Sequence, residues 1–436
     1  MNSRFLHIFL SAVGIVLASC SSDGPGVVGQ PLADSTAISF DASTVSITRA
    51  AGDFNRTEEL RLEPRGIGIF ASYTGPRRYA SSTVRPNFMC NQRATWNDSY
   101  WEYSPLKYWP NGQGEATDQG QGEITHKVSF FAYAPWSDLV TTNPADHAPA
   151  NCITRCAETY DEGDPWLYYR IAGTPGSDPT AQQVDLLYAV CDYDYYGSDE
   201  GMCNIDLTKP DVAKRVKFIF HHALGCVGDR VTITASEDLR SSMVVDLSRK
   251  YKVELVIVSV DIEYTLTAGA QLTLWNDKDA PNWQADTEHN VKTTRKVTLL
   301  SEDEIDSDGS LRGSYAVERI DDGSKVSREQ WVRNGRGVFY IPVEGDDYVQ
   351  SATINVKYRL RYYTNETTYT ELPVAEGSAT VNMRDYIATS EAHGRNLFIN
   401  VQINDSGEIQ ASLGVVNAAF TPWNEGGEID RTVYNW

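Results

Sequence analysis

Apolar and polar side chains alternate between residues 37 and 50. Ile38, Phe40 and Ala42 interleave with Ser39, Asp41 and Ser43, a period of two that predicts a strand with one face on a core. After Thr44 the alternation resumes one register over, with Val45 and Ile47 against Ser46 and Thr48, the pattern of a bulged or bent strand. Arg49 then precedes Ala50, Ala51 and Gly52: a long cation followed by small residues, open to a trypsin-like protease. Two readings stand: a first strand that never leaves, beside an exposed Arg49, or a strand detached after folding. Burial of Ile38, Phe40, Val45 and Ile47 at about 1.5–3 kcal/mol each amounts to roughly 6–12 kcal/mol. That is the size of a domain's whole net stability. A sheet that lost this strand would expose unpaired backbone groups and an apolar groove, both suited to accepting another strand.

The rest of the pattern is almost wholly β. Short apolar or aromatic runs at 67–73, 101–103, 127–133 and 185–189 are separated by Gly, Pro, Asn and Asp, which predicts a sandwich of antiparallel strands. Residues 138–183, rich in Pro, Gly, Asp and Thr, read as a long surface insertion. Lys209, Pro210 and Asp211 mark a boundary. Beyond it, 216–222 alternates through Val216, Phe218 and Phe220, and 231–234 follows after a turn. The β-branched stretch 251–266 predicts a bent strand or a pair. Later strands are expected at 271–275, 295–300, 337–343, 352–363, 396–403 and 408–413. No amphipathic helix longer than two turns and no solenoid or propeller repeat is present.

Residues 1–19 read as a signal peptide rather than as part of the fold. Arg4 supplies a positive start, 5–18 is an apolar run too short to span a membrane well, and Leu17, Ala18 and Ser19 precede Cys20 as in a bacterial lipobox. Cys20 is therefore the expected lipidation site, with acyl chains enough for stable anchoring. Residues 20–49 combine a Gly- and Pro-containing tether with the first strand. About 400 residues remain, the length of two domains, expected at 50–210 and 211–436.

Composition narrows the chemistry. Aromatics make up 11% of the chain, enough for a sizeable core, and the net charge of −21 argues against nucleic acid as a partner. Six cysteines besides Cys20 (Cys90, Cys152, Cys156, Cys191, Cys203 and Cys226) suggest disulfides in an exported chain, with Cys152–Cys156 and Cys191–Cys203 as plausible staples. Free buried thiols are the alternative, both ahead of metal. Glu304, Asp306, Asp308 and Gly309 resemble the start of a calcium loop but have Glu304 at its first position and Tyr315 at its twelfth. His221 and His222, adjacent on a strand, should face opposite sides, one to the core and one to solvent. No nucleophile elbow, HExxH pair or phosphate loop occurs, so neither an enzyme nor a cofactor has positive support. Trp166, Tyr168 and Tyr169, and Tyr193, Tyr195 and Tyr196, are either strand packing or aromatic faces for a sugar or partner.

Taken in order, several stretches resemble the fimbrillin-like (Mfa-like) lipoproteins that form type V pili. They are the lipobox at Cys20; Ile47, Thr48, Arg49 and Ala50; residues 101–110; Val128, Phe130, Ala132, Tyr133, Ala134 and Pro135; residues 185–189; Phe218, Phe220, His222, Ala223 and Leu224; and residues 422–427. The resemblance implies two tandem transthyretin-like Greek-key β-sandwich domains in a non-enzymatic subunit of a cell-surface fimbrium, used in adhesion. It implies cleavage between Arg49 and Ala50 by an arginine-specific protease, removal of the strand carrying Ile38, Phe40, Val45 and Ile47, and donor-strand exchange. The donor tail would hold Val415, Phe420, Trp423, Val433 and Trp436. Partners would be other fimbrillin subunits, the outer membrane through the lipid on Cys20 before maturation, and a host or bacterial surface ligand. The alternative is a glycan-binding surface lipoprotein that does not polymerise.

Overall fold

The computed structural model of the chain describes residues 37–44, 57–110, 126–139, 152–171, 184–189, 204–210, 215–235, 252–267, 269–275, 281–285, 292–301, 316–319, 330–333, 338–342, 351–365, 367–382, 396–403 and 409–416. The N-terminal elements are β1 (Ser39–Thr44), α1 (Thr57–Leu62), β2 (Ile67–Gly75), β3 (Met89–Trp96), β4 (Trp101–Glu102) and β5 (Lys127–Ala134). There follow β6 (Ile153–Cys156), β7 (Trp166–Arg170), β8 (Leu187–Ala189), β9 (Arg215–His222) and β10 (Gly225–Ala235). The middle of the chain forms β11 (Lys252–Thr267), β12 (Gly269–Thr273), β13 (Asn282–Ala285), β14 (Lys292–Ser301), β15 (Ala316–Arg319) and β16 (Gln330–Arg333). The last strands are β17 (Val338–Tyr340), β18 (Ser351–Tyr363), β19 (Tyr369–Glu371), β20 (Ala375–Asn382), β21 (Asn396–Ile403) and β22 (Ile409–Val416).

These strands make four sheets, and the all-β expectation holds. The first has seven strands in the order β1-β9-β8-β5-β2-β3-β4. The second runs β16-β10-β21-β22 with β17 also on β10, the third β14-β11-β18-β19 with β15 on β11 and β20 on β18, and the fourth β13-β12-β7-β6. Pairing is mostly antiparallel, but β1 lies parallel to β9 and β10 parallel to β21, which the antiparallel expectation did not include.

The first sheet lies between two cores. Along β5, Val128, Phe130 and Ala132 enter one with Ile38, Phe40, Ile67, Ile69 and Phe218. Its Phe131 and Tyr133 enter the other, shared with residues of the second, third and fourth sheets such as Val227, Leu272 and Ile354. A strand buried on both faces reads as a near-continuous apolar run, and β5 does, broken only by Ser129 after Lys127 opens it. α1 lays Leu60 into the first core, and Gly66, at φ 75°, then turns the chain into β2.

Three sequence expectations change here, and one open alternative is decided. Residues 138–183 are not simply a surface insertion: β6 and β7 lie within them and complete the fourth sheet, with Ile153, Leu167 and Tyr169 fully buried. The stretch 251–266 is one strand, β11, whose register shifts against β14 and β18 supply the bend. His221 and His222 are both buried, because β9 is an interior strand whose end, unlike Arg215, Lys217 and Ile219 before it, is covered on both faces. β9 itself, read as lying past the boundary at 209–211, pairs with β1 and β8 in the first sheet.

The slot occupied by the first strand

β1 ends its sheet, and its ladder is with β9, from Ser39 opposite Arg215 to Thr44 opposite Phe220. Ile38, Phe40 and Ala42 are no more than 2% exposed, the alternation expected of them. Phe40 is the centre of the packing. Its ring stacks on Phe218 with centroids 5.6 Å apart, lies 5.2 Å from Tyr103 and meets Phe130 edge-on at 6.0 Å. Trp109 closes the same pocket against Phe130. Ile38 and Phe40 together contribute roughly 3–6 kcal/mol on burial.

Among the described residues, the other edge of β1 is bonded near its start and at its end. The Ile38 amide donates to the Lys107 carbonyl at 3.0 Å, and Ala37 forms an antiparallel bridge with Tyr108. The Tyr103 hydroxyl donates to the Ile38 carbonyl at 2.8 Å and accepts from the Lys107 amide at 3.2 Å. Burial pushes this hydroxyl up to about 12 from the ordinary 10.0, against the opposing backbone bond at Lys107. It is therefore a neutral donor at physiological pH. At the far end the Thr44 amide donates to Thr57 Oγ1 at 3.3 Å.

Chemically the site binds backbone and apolar side chains. A strand laid here gains one ladder on β9 and an aromatic pocket for one large side chain in every two. His222 Nδ1 and Asp185 Oδ2, both buried and 2.7 Å apart, join β9 to the chain before β8. Among the described residues no group of three or more His, Cys, Asp or Glu is placed to hold a metal ion.

The sequence-derived residues separate cleanly. Ile38 and Phe40 lie in the slot, whereas Val45, Ile47, Arg49, Ala50 and Cys20 lie outside the described residues. Val415 sits in β22 opposite Leu397 of β21, at the edge of the second sheet; Phe420, Trp423, Val433 and Trp436 are outside the described residues. Tyr168 and Tyr169 are buried in strand packing rather than displayed. Tyr193, Tyr195, Tyr196 and the acidic run at 304–309 are also outside. The slot-lining role of Tyr103 and Trp109 had no local signal, since the Tyr103 bond to Ile38 spans 65 residues of sequence.

Cys90 and Cys156 carry free thiols, so the staple expected between Cys152 and Cys156 is absent. Strand geometry opposes it: Cys156 ends the extended strand β6, and the three steps of about 3.3 Å back to Ile153 already span roughly 10 Å, beyond a disulfide's Cα–Cα reach. The other expected staple involves Cys191 and Cys203, which lie outside the described residues.

No family model matches the chain. A fimbrium subunit of Phocaeicola vulgatus, Fim1C, is 37% identical over 101 residues, a stretch that covers 23% of this chain and 23% of that subunit. A crystal structure of a fimbrial protein from Bacteroides vulgatus superposes with a TM-score of 0.57 at 17% identity, covering 87% of this chain and 99% of that one. The first relation is one of sequence over under a quarter of the subunit, and the second is one of fold over nearly the whole chain. The names these relatives carry are those of fimbrial proteins and not of enzymes. Together they bear out the resemblance of this chain to the fimbrillin-like family.

Proposed function

We propose that the chain is a structural and adhesive subunit of a type V pilus, matured by cleavage after Arg49 and polymerised by donor-strand exchange. The observation that carries this reading is β1: a sheet-end strand, laddered to β9, whose three inward side chains fill an aromatic slot. Lipidation at Cys20 delivers the precursor to the outer membrane surface. Cleavage between Arg49 and Ala50 then frees the strand, and a tail from another fimbrillin subunit takes its place. Two tandem transthyretin-like sandwiches carry the slot and the tail, with the division after β9 instead of at 209–211, because Phe218 and Phe220 belong to the N-terminal core. Fimbrial relatives in sequence and fold support the same reading.

Limited trypsin digestion of the folded chain tests it. Preferential cleavage after Arg49 followed by loss of β1 and appearance of oligomers is the expected result. A chain that is cut there yet remains monomeric with β1 bound would contradict strand exchange. Of the cluster Trp166, Tyr168 and Tyr169, the two tyrosines are buried and Trp166 is half-buried, which leaves less aromatic surface for the glycan-binding alternative.

A further inference from the structure

Cys90 is the second residue of β3 in the seven-stranded sheet, and Cys156 is the last of β6 in the four-stranded sheet. Their sulfurs meet at one atom. Cys90 Sγ donates to the Ala157 carbonyl oxygen at 3.4 Å, and Cys156 Sγ donates to the same oxygen at 3.4 Å. The two sulfurs are thus separated by no more than twice that distance, and a rotamer change at both residues, each moving a sulfur by about 3 Å, spans the gap. Cys152, the nearer cysteine in sequence, is held at the opposite end of β6. We propose that Cys90 and Cys156 are a latent disulfide site, closed by a small-molecule or protein disulfide, that staples the seven-stranded sheet to the four-stranded one.

The reaction is an exchange in two steps. Cys90 is half-buried and is the thiol an oxidant RSSR can reach; Cys156 is buried. The Cys90 thiolate attacks one sulfur of RSSR, forming a Cys90–SR bond and releasing RS⁻. Cys156 then loses its proton, and its thiolate attacks Cys90 Sγ, breaking the Cys90–SR bond and releasing the second RS⁻. Two protein thiols are oxidised and one disulfide is reduced to two thiols, which take up the two protons. Burial raises both thiols, Cys156 to about 12 with the neighbouring Cys90 adding to the effect, so closure is slow near neutrality and faster in alkali.

The staple has a structural consequence. From Cys90 the chain runs along β3 and β4 to Tyr103, whose hydroxyl holds the start of β1. Fastening β3 to β6 therefore ties the wall that carries Tyr103 to the body of the molecule, and it does so whether or not strand exchange occurs.

The test is oxidation of the folded full chain by glutathione disulfide at mildly alkaline pH, followed by alkylation, non-reducing digestion and mass spectrometry. The expected result is loss of a pair of alkylatable thiols and a linked peptide pair bearing Cys90 and Cys156, separated by dithiothreitol. The same link forms in Cys152→Ser, while Cys90→Ser leaves Cys156 alkylatable. Circular dichroism confirms that each chain is folded. A folded chain that keeps both thiols alkylatable, that stops at a stable glutathione adduct on Cys90, or that links Cys156 elsewhere would overturn the proposal.

Discussion

Phe40 of β1 stacks on Phe218 of β9 with ring centroids 5.6 Å apart and planes 21° from parallel. The two are not opposite each other in the ladder: Phe40 faces Val216, and Phe218 faces Ala42. The contact is the diagonal one, within reach of aromatic side chains on one face of a sheet. It ties the first strand of the chain to one nearly two hundred residues later, so the strand's seat depends on a distant segment.

Phe40→Ala should therefore cost about 3–5 kcal/mol of stability, the range for emptying a buried aromatic position. Urea denaturation checks it. The same variant should lose β1 to trypsin faster than the parent chain, because the pocket between Tyr103, Phe130 and Phe218 no longer grips the strand.

Tyr103 should give an alkaline transition at the same place. Folding favours its protonated form, since burial raises the hydroxyl from 10.0 to about 12. A raised folded value means the contribution to stability is complete below pH 10 and is lost as pH climbs through about 12. Burial holds Tyr133 higher still, so it stays protonated across that window. The urea midpoint should fall between pH 10 and 12 in the parent chain and fall less in Tyr103→Phe, with tyrosinate absorbance reporting the titration.

Gly68 faces Tyr133 across β2 and β5, and a Cβ at Gly68 would lie 2.2 Å from the ring. The ring cannot easily yield, because its hydroxyl donates to Asn91 Oδ1 at 2.7 Å and accepts from the Ser137 amide at 3.2 Å. Gly68→Ala is expected to destabilise by about 1–3 kcal/mol, the usual cost of overpacking. Adding Tyr133→Phe releases the ring, so the two substitutions should couple in a double-mutant cycle. Strict additivity would show that the ring is not what resists the methyl.

The outline of the fold was legible in local pattern, and what was missed is non-local. Ile38, Phe40 and Ala42 alternate and are buried, and the runs at 67–73, 127–133 and 396–403 are strands where expected. Local pattern holds no information on partners, however. Nothing near Val216 or Phe218 says that this strand pairs with residues 39–44, and a Pro between Lys209 and Asp211 reads as a boundary even though the next strand belongs to the preceding sheet. Residues 153–171 depart from the surface-insertion pattern for the opposite reason. Their turn-rich flanks dominate composition, while Leu167 and Tyr169 become core only because β12 supplies a ladder from a hundred residues away. The thiol pair was hidden in the same way, since Cys90 and Cys156 meet through two different sheets.

Removing residues 421–436 should leave a folded, cleavable monomer that no longer extends a fibre, because β22 ends at Val416 and the deleted tail is the proposed donor. Native electrophoresis of the cleaved truncation checks this. Unchanged polymerisation would move the donor elsewhere.

The most direct measurement is the N-terminal sequence of the chain in fibres taken from the cell surface. A start at Ala50, with no peptide from residues 37–44 in the fibre, is the predicted result. Fibres whose subunits remain covalently continuous from β1 into α1 would contradict the claim that the first strand holds its slot for a neighbour.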